Sequence, residues 1–217
     1  MATESLRADY FDHLYAGSAD PWAISQGWYE ERKRRVVEAV LPREHYRQAF
    51  EPGCGNGILT ARLAKRCDHV LAWDGAEVAV QNTRHNLADA DNVDVQQARV
   101  PDWWPEGSAD LIVLSEIGYY LTASDLDHLI KRACASLDDG GTLIAVHWRR
   151  EAADYPLGGD DVHAHLFGRP HLTRLGGYAD DDFRLDIFVG GSVAASVAED
   201  AGVVARPTNG RPPQLDD

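Results

Sequence analysis

A run of alternating glycines follows a short apolar segment in the first quarter of the chain. It extends from Glu51 to Gly57, has the sequence EPGCGNG, and includes Gly53 and Gly55. The segment after it is amphipathic. Glycines in this setting are needed where a strand turns sharply into a helix and the backbone approaches a ligand closely. The run therefore predicts a nucleotide-type binding turn between a strand and a helix.

The spacing of these glycines argues against a dinucleotide. The dinucleotide fingerprint, Gly-x-Gly-x-x-Gly, uses its third glycine to let the helix pack beside a pyrophosphate, and this chain has Ile58 at that position. Glu51 lies two positions before the first glycine, where a carboxylate repels a pyrophosphate and attracts a cation. A cationic adenosine derivative fits better than NAD. An NAD-dependent oxidoreductase and a glycine-rich turn without a ligand stay open as alternatives.

An acidic residue followed by Gly-x-Gly-x-Gly resembles the first motif of the class I S-adenosylmethionine (SAM) methyltransferases. The resemblance implies that SAM is the cofactor and S-adenosyl-L-homocysteine (SAH) the product. It also implies that Glu51, Gly53, Gly55 and Gly57 belong to the cofactor site.

Composition and charge limit the possible partners. The chain has 217 residues, of which 44% are hydrophobic, so it can form one α/β domain with a sizeable core. The net charge of −14 argues against nucleic acid and anionic membranes, because binding to phosphates depends on clustered Lys and Arg. The basic run from Arg32 to Arg35 follows two glutamates in a segment of helical periodicity. We interpret it as a solvated helix face.

The cysteines and the amino-terminal segment predict a cytoplasmic protein. Cys54, Cys67 and Cys134 are odd in number and widely spaced, which indicates neither a disulfide framework nor a thiolate metal site. The segment from Met1 to Tyr15 has no uninterrupted apolar core, so it does not resemble a signal peptide. No apolar stretch has the length of a membrane span.

Strand and helix patterns alternate through the middle of the chain. The first strand is predicted to end at Ala49-Phe50-Glu51. Four more strands are predicted, at His69–Asp74, Val93–Ala98, Ala109–Ser115 and Thr142–Trp148. Helices are predicted at Ile58–Arg66, Val78–Leu87 and Leu126–Leu137, and the last of these is expected to stop at Gly140-Gly141. Such alternation predicts a doubly wound, Rossmann-like sheet with helices on both faces.

The two ends of the chain complete the predicted fold. Residues 1–46 are expected to form a helical lid, with one helix capped by Ser5 and a second over Trp28–Leu41. Leu172–Tyr178 and Phe183–Val189 flank a turn and predict an antiparallel hairpin at the sheet edge. We therefore expect one domain over residues 1–189, with seven mostly parallel strands. Residues 190–217 are expected to be a poorly packed tail with one weak helix around Val193–Ala201.

The strand ends supply the candidate cofactor residues, because open α/β sheets bind ligands at the carboxyl ends of their strands. Asp74 closes the second strand, and its carboxylate can accept both ribose hydroxyls of an adenosine. A surface Asp that opens a turn with Gly75 is the alternative. At the third strand end, Ala98 and Arg99 can meet the adenine. Arg99 departs from the acidic residue that is usual in the family at this point.

The fourth and fifth strand ends supply the candidate catalytic residues. Ser115 and Glu116 follow the buried fourth strand, beside the transferable methyl in a SAM enzyme, and Glu116 can neutralise a substrate amine or instead cap the next helix. One of Tyr119 and Tyr120 can hold the sulfonium by cation–π attraction while the other packs inward. His147 is expected to face the same crevice as a general base, with a structural histidine as the alternative.

Further motifs resemble the nodulation protein S family of SAM-dependent methyltransferases. They are Asp20-Pro21-Trp22, Trp28-Tyr29-Glu30, Glu51-Pro52-Gly53-Cys54, Asp102-Trp103-Trp104-Pro105, Leu114-Ser115-Glu116 with Tyr120, Val146-His147-Trp148-Arg149 and Gly159-Asp160-Asp161-Val162-His163. The resemblance implies that the lid covers the ligand, which adds Trp28 to the cofactor site, and that the enzyme N-methylates the free amine of a deacetylated chitin oligosaccharide.

The sequence leaves the acceptor and the assembly open. We predict a SAM-dependent enzyme that methylates an amine, or alternatively a hydroxyl, of a small molecule, as a monomer or homodimer. A non-catalytic adenosine-binding protein is the principal alternative. His163 and His165 are two positions apart and lie on different faces of a helix, so we predict no metal site.

Overall fold

The computed structural model describes residues 4–18, 20–191 and 196–204, in which strands and helices alternate. The strands are β1 (Tyr46–Pro52), β2 (Cys67–Asp74), β3 (Val93–Gln97), β4 (Ala109–Ser115), β5 (Leu137–Trp148), β6 (Leu172–Ala179) and β7 (Phe183–Gly190). The α-helices are α1 (Ala8–Gly17), α2 (Trp28–Val40), α3 (Ile58–Leu63), α4 (Glu77–Asn86), α5 (Ala123–Ser136), α6 (Gly159–Leu166) and α7 (Val197–Asp200). Two short 3₁₀ turns cover Ala64–Arg66 and Gly118–Tyr120.

The strands form one sheet in the order β3-β2-β1-β4-β5-β7-β6. The first five strands pair in parallel, and β7 pairs antiparallel with both β5 and β6. The chain order reverses between β1 and β4, so the carboxyl ends of these two strands flank the crevice at which open sheets bind ligands. The predicted fold class is confirmed: the sheet is Rossmann-like, mostly parallel, and ends in an antiparallel hairpin.

Helices cover both faces of the sheet and enclose two hydrophobic cores. One core joins α2, α3 and α4 to one face through Val37, Leu63 and Val80. The other joins α5 and α6 to the opposite face through Leu129 and Leu166. Strand β4 is buried on both faces, as its continuous apolar sequence predicts.

The amino-terminal segment is tied to the far side of the sheet crevice. The Leu6 N–H donates to the Tyr120 carbonyl at 2.8 Å. Helix α1 begins at Ala8 with no side-chain cap. The expectation that Ser5 caps it is wrong, because the Ser5 hydroxyl donates to Asp125 and accepts from the Thr122 N–H instead. These bonds stretch the chain before α1 across the crevice.

Strand β5 is longer than its apolar core suggested. All of Leu137–Trp148 belongs to the strand, although Gly140 has a φ of +73°, so the expected helix stop at Gly140-Gly141 is wrong, and α5 ends at Ser136. Of the weak helix expected around Val193–Ala201, the structure describes Val197–Asp200, and residues 192–195 and 205–217 lie outside the described residues. Within the described ranges, no helix combines the length and apolarity required to cross a bilayer.

Candidate active site

A cavity of about 550 Å³ lies at the carboxyl ends of the parallel strands, beneath the amino-terminal helices. Its size is typical of small-molecule sites, which are roughly 300–1,000 Å³. Of the residues singled out from the sequence, it is lined by Glu51, Gly53, Gly55, Asp74, Gly75, Ala98, Arg99, Ser115, Glu116 and Tyr120. Because of the strand order, the Asp74 end and the Glu116 end lie on opposite sides of the glycine turn.

The glycine turn requires glycine at each of its three positions. Gly53, Gly55 and Gly57 have φ angles of +76°, +59° and +78°, in the left-handed region that other residues rarely adopt. A Cβ on Gly53 would overlap the side chain of Ile117, and one on Gly57 would lie 2.9 Å from Thr83 Cγ2. Gly57 does not line the cavity. Its role is to bring the start of α3 close to α4.

Asp74 is held in place by one backbone N–H of the glycine turn and one of the loop that follows β2. Its Oδ2 accepts from the Gly55 N–H at 3.0 Å, and its Oδ1 accepts from the Ala76 N–H at 2.9 Å. Burial, opposed by these backbone hydrogen bonds, raises the pKa of Asp74 to about 6. Each carboxylate oxygen keeps a second lone pair, so the group can still accept hydrogen bonds from a ligand in the cavity.

Glu51 supplies a second carboxyl group beneath the turn. It is almost fully buried, and the Thr60 hydroxyl donates to its Oε2 at 2.6 Å. Burial raises the pKa of Glu51 to about 8, with the charge of Asp74 contributing in the same direction. A cation in the cavity would favour the ionised forms of both carboxyl groups.

The third strand end closes the cavity near the amino terminus. The Ala98 N–H donates to the Asp74 carbonyl at 2.9 Å, which fixes β3 beside β2. The Arg99 guanidinium donates to the Leu6 carbonyl at 3.3 Å. Arg99 therefore ties the amino-terminal segment to the sheet and lines the cavity where the sequence placed the adenine.

Glu116 occupies the other end of the cavity in a strained conformation. Its φ is +57°, which costs roughly 1–2 kcal/mol for a residue other than glycine. Its Oε2 accepts from the Tyr119 hydroxyl at 2.5 Å and from the Trp148 N–H at 2.9 Å. Its Oε1 lies 2.6 Å from the ammonium of Lys33. Glu116 caps no helix, and its charge is already paired within the chain.

Lys33 is a site residue that the sequence did not indicate. Its ammonium bonds Glu116 and also lies 3.0 Å from Glu30 Oε1. Its side chain is 8% exposed. Burial lowers the pKa of Lys33, but Glu116 and Glu30 raise it more, so the net shift is upward and the lysine stays charged. Arg34 is also buried and lines the cavity. The interpretation of Arg32 to Arg35 as a solvated helix face is therefore wrong for these two residues.

Three of the predicted site residues are not brought to the cavity: Gly57, Trp28 and His147. The indole of Trp28 is 66% exposed and packs under the Arg35 guanidinium on the outer side of α2. His147 is fully buried below the Gly118–Tyr120 turn and does not line the cavity. The expectation that His147 faces the crevice is wrong, because α6 covers the end of β5 and its His163 contacts His147 instead.

Tyr120 lines the cavity within a group of aromatic rings. Its ring makes edge-to-face contacts with Phe11 at 5.0 Å, Tyr119 at 4.7 Å and Tyr155 at 4.8 Å between centroids. These rings present faces and edges to the Glu116 end of the cavity. A sulfonium there would lie among electron-rich rings, which attract cations.

The residues present fit SAM. Asp74 offers paired acceptors for a ribose, the carboxyl groups of Glu51 and Glu116 line a cavity that could hold a cation, and the glycine turn lets a ligand approach the backbone. Asn56 also lines the cavity. Its side-chain oxygen Oδ1 is buried and accepts no hydrogen bond from the described residues. The donors and acceptors of the site therefore match an adenosine that carries positive charge.

Comparisons with known proteins agree with this geometry. A family model described as "Methyltransferase domain" matches residues 49–141. Nodulation protein S of Sinorhizobium fredii (strain NBRC 101917 / NGR234) is 28% identical over 110 residues, which are 50% of this chain and 51% of that protein. The chain thus spans about half the length of that curated relative.

Two solved structures extend the comparison to most of the chain. A Pseudomonas syringae protein assigned as a methyltransferase is 47% identical, with a TM-score of 0.68, and the match covers 75% of this chain and 99% of that one. The N-methyltransferase NodS of Bradyrhizobium japonicum WM9, in complex with SAH, shares the fold at 22% identity, with a TM-score of 0.74 and coverage of 85% and 98%. The chain belongs to the class I SAM-dependent methyltransferases. Its resemblance to the nodulation protein S family is confirmed.

We expect the affinity for SAM to fall as the pH is lowered through about 6. For this prediction we assign the ribose hydroxyls to the ionised carboxylate of Asp74, whose pKa burial raises to about 6, so protonation would remove an acceptor. The contribution of Asp74 to the affinity should be constant above this pKa and fall by up to about tenfold per pH unit below it. Calorimetry between about pH 5 and pH 8 measures this. Asp74→Asn should lack the step near 6, and a flat wild-type profile would contradict the assignment.

Proposed function

We propose that this protein transfers a methyl group from SAM to an amine of a small molecule, in the cytoplasm. The observation that carries the proposal is the placement of Asp74 and Glu116 at opposite ends of one cavity, with the glycine turn between them. An adenosine held at Asp74 extends past β1 toward β4. The acceptor then binds at the Glu116 end, near Lys33, Tyr29 and Trp148.

Positioning and exclusion of water supply most of the rate in this proposal. SAM supplies an electrophilic methyl group on a sulfonium centre. The chain covers the cavity with α1, α2 and the segment before α1, which strips water from the acceptor. Glu116 orients the acceptor end through Lys33 and Tyr119 rather than binding a substrate ammonium directly.

Burial at the acceptor end favours an amine in its neutral form. The cavity is covered, so a bound amine is desolvated, which lowers its pKa, and Lys33 adds no net positive charge because it is paired with Glu116 and Glu30. A neutral amine carries the lone pair that the reaction requires. A buried general base is then unnecessary, which agrees with the position of His147 outside the cavity.

A radiolabel assay tests the proposal. Transfer of labelled methyl from SAM is measured with a panel of small amines and matched alcohols, which includes deacetylated chitin oligosaccharides and their N-acetylated counterparts. We expect label on amines and not on the alcohols or acetylated sugars. Label on alcohols alone would overturn the choice of nitrogen. SAM binding without transfer to any acceptor would favour the non-catalytic alternative.

The net charge of −14 supports a small-molecule acceptor rather than nucleic acid or a membrane surface. We propose a monomer or homodimer with one domain over residues 1–189, whose lid spans residues 1–46.

A further inference from the structure

Three buried titratable side chains form a chain of contacts outside the cavity. His147 on β5, His163 on α6 and Asp186 on β7 are at most 1% exposed. The Gly118 N–H lies 3.1 Å from His147 Nε2, His147 Nδ1 lies 3.3 Å from His163 Nε2, and His163 Nδ1 lies 2.7 Å from Asp186 Oδ2. The contacts thus run from β7 to the backbone of the 3₁₀ turn beside the cavity.

The direction of every hydrogen bond in this series of contacts is fixed by the groups at its two ends, the Gly118 N–H and the Asp186 carboxylate. A backbone N–H can only donate, so His147 Nε2 accepts and its proton is on Nδ1. That proton is donated to His163 Nε2, which places the proton of His163 on Nδ1, facing the carboxylate of Asp186. Both histidines are then neutral. Burial, with the nearby His163 and Lys33, lowers the pKa of His147 well below its ordinary value and agrees with this state.

At the β7 end of these contacts, Asp186 is held by two arginines. Arg174 Nε and Arg184 Nε donate to the two oxygens of Asp186 at 2.7 Å and 2.8 Å. Burial raises the pKa of Asp186, but hydrogen bonds from His163 and the two arginines lower it to about 2 overall. The carboxylate therefore stays ionised and remains an acceptor for His163.

At the other end of these contacts, His147 holds the turn that carries Tyr119 and Tyr120. Gly118 has no room for a side chain, because a Cβ there would overlap Val162 on α6 and lie 3.0 Å from His147 Nε2. The ring of Tyr119 packs against His147, with 5.4 Å between centroids, and its hydroxyl donates to Glu116. A shift of this turn would move the groups at the acceptor end.

We propose that Asp186, His163 and His147 form a positioning relay, in which Asp186 and His163 select the Nδ1–H tautomer of His147 and so keep Nε2 as the acceptor for Gly118. The relay holds the Gly118–Tyr120 turn and, through Tyr119, the orientation of Glu116. His147 and His163 are thus positioning residues rather than general bases. The link to the acceptor rests on the proposed function, but the tautomer does not.

A matched pair of variants at His163 tests the relay. In His163→Gln the amide oxygen can still accept from His147 Nδ1–H, whereas in His163→Leu that proton has no acceptor and the tautomer is free to change. Nitrogen-15 NMR of the histidine rings reads the tautomer directly. A scalar coupling across the Gly118 N–H···Nε2 bond and hydrogen exchange of the Gly118 amide report the contact without any substrate.

We expect the wild type and His163→Gln to carry the Nδ1–H tautomer of His147 with the Gly118 coupling present. In His163→Leu the coupling should disappear, and Gly118 exchange should accelerate about tenfold, the equivalent of one hydrogen bond. SAH affinity, read by calorimetry, should change little because Asp74 is at the other end of the cavity. With an acceptor in hand, its KM should rise in His163→Leu and recover in His163→Gln.

A protonated or Nε2–H His147 in the wild type would overturn the proposal, as would an unchanged Gly118 contact in a folded His163→Leu. Failure of methyl transfer in the wild type, with the tautomer and the coupling as expected, would count against the proposed function alone.

Discussion

Replacing Asp74 by alanine is expected to weaken SAM binding by about tenfold to a hundredfold, because one or two hydrogen bonds to a charged group are lost. The carboxylate is already oriented by Gly55 and Ala76, so binding does not require it to be ordered. Calorimetry with SAM and SAH measures the change.

Asp68→Ala is the matched control for this prediction. Asp68 lies on the same strand, and its side chain is 70% exposed. Its carboxylate oxygen Oδ1 lies 2.8 Å from Nε2 of the exposed His45. Its substitution should leave the affinity within about twofold, as for a surface site far from the ligand. Equal affinities of the Asp74 and Asp68 variants for SAM would refute the ribose assignment.

Replacing Lys33 by methionine is expected to lower the free energy of unfolding by about 3 kcal/mol, near the lower end of the range for breaking a buried ion pair. The variant leaves the carboxylates of Glu30 and Glu116 facing each other without the ammonium between them. The lower end applies because Glu116 is 24% exposed and the cavity admits water. Chemical denaturation measures the loss.

Arg35→Met provides the comparison on the same helix. Arg35 pairs with Glu31 one turn earlier, but its side chain is 61% exposed, so its loss should cost less than about 1 kcal/mol. Adding Glu116→Gln to Lys33→Met should restore part of the stability, since it removes the uncompensated charge. A Lys33 variant as stable as the Arg35 variant would show that the buried pair contributes nothing.

The parts of the site that the sequence predicted are those that depend on local pattern. The glycine turn is set by residues adjacent in the chain, and Asp74 follows directly from the end of an apolar strand. The parallel pairing of the first five strands follows from alternating strands and helices, because parallel strands need crossovers. These features require no knowledge of distant contacts.

The parts that the sequence missed depend on distant partners. Lys33 lies in a charge run of helical spacing, which is typical of a solvated surface, and its partner Glu116 is 83 residues away. The left-handed backbone of Glu116 has no marker in its residue type.

His147 was assigned to the crevice because it ends a strand, but the helix that covers it comes later in the chain. One signal for this burial was Asp186, a charged residue flanked by Leu185 and Ile187 in β7. A buried charge requires partners, and His163 is one of three partners of Asp186, with Arg174 and Arg184.

We propose that SAM binds with its adenosine at Asp74 and its sulfonium toward Glu116. A crystal structure of the full chain with SAH tests this orientation most directly. We expect the ribose hydroxyls within hydrogen-bonding distance of the Asp74 carboxylate and the sulfur between the glycine turn and Glu116. SAH bound in the reverse direction, or outside this cavity, would contradict it.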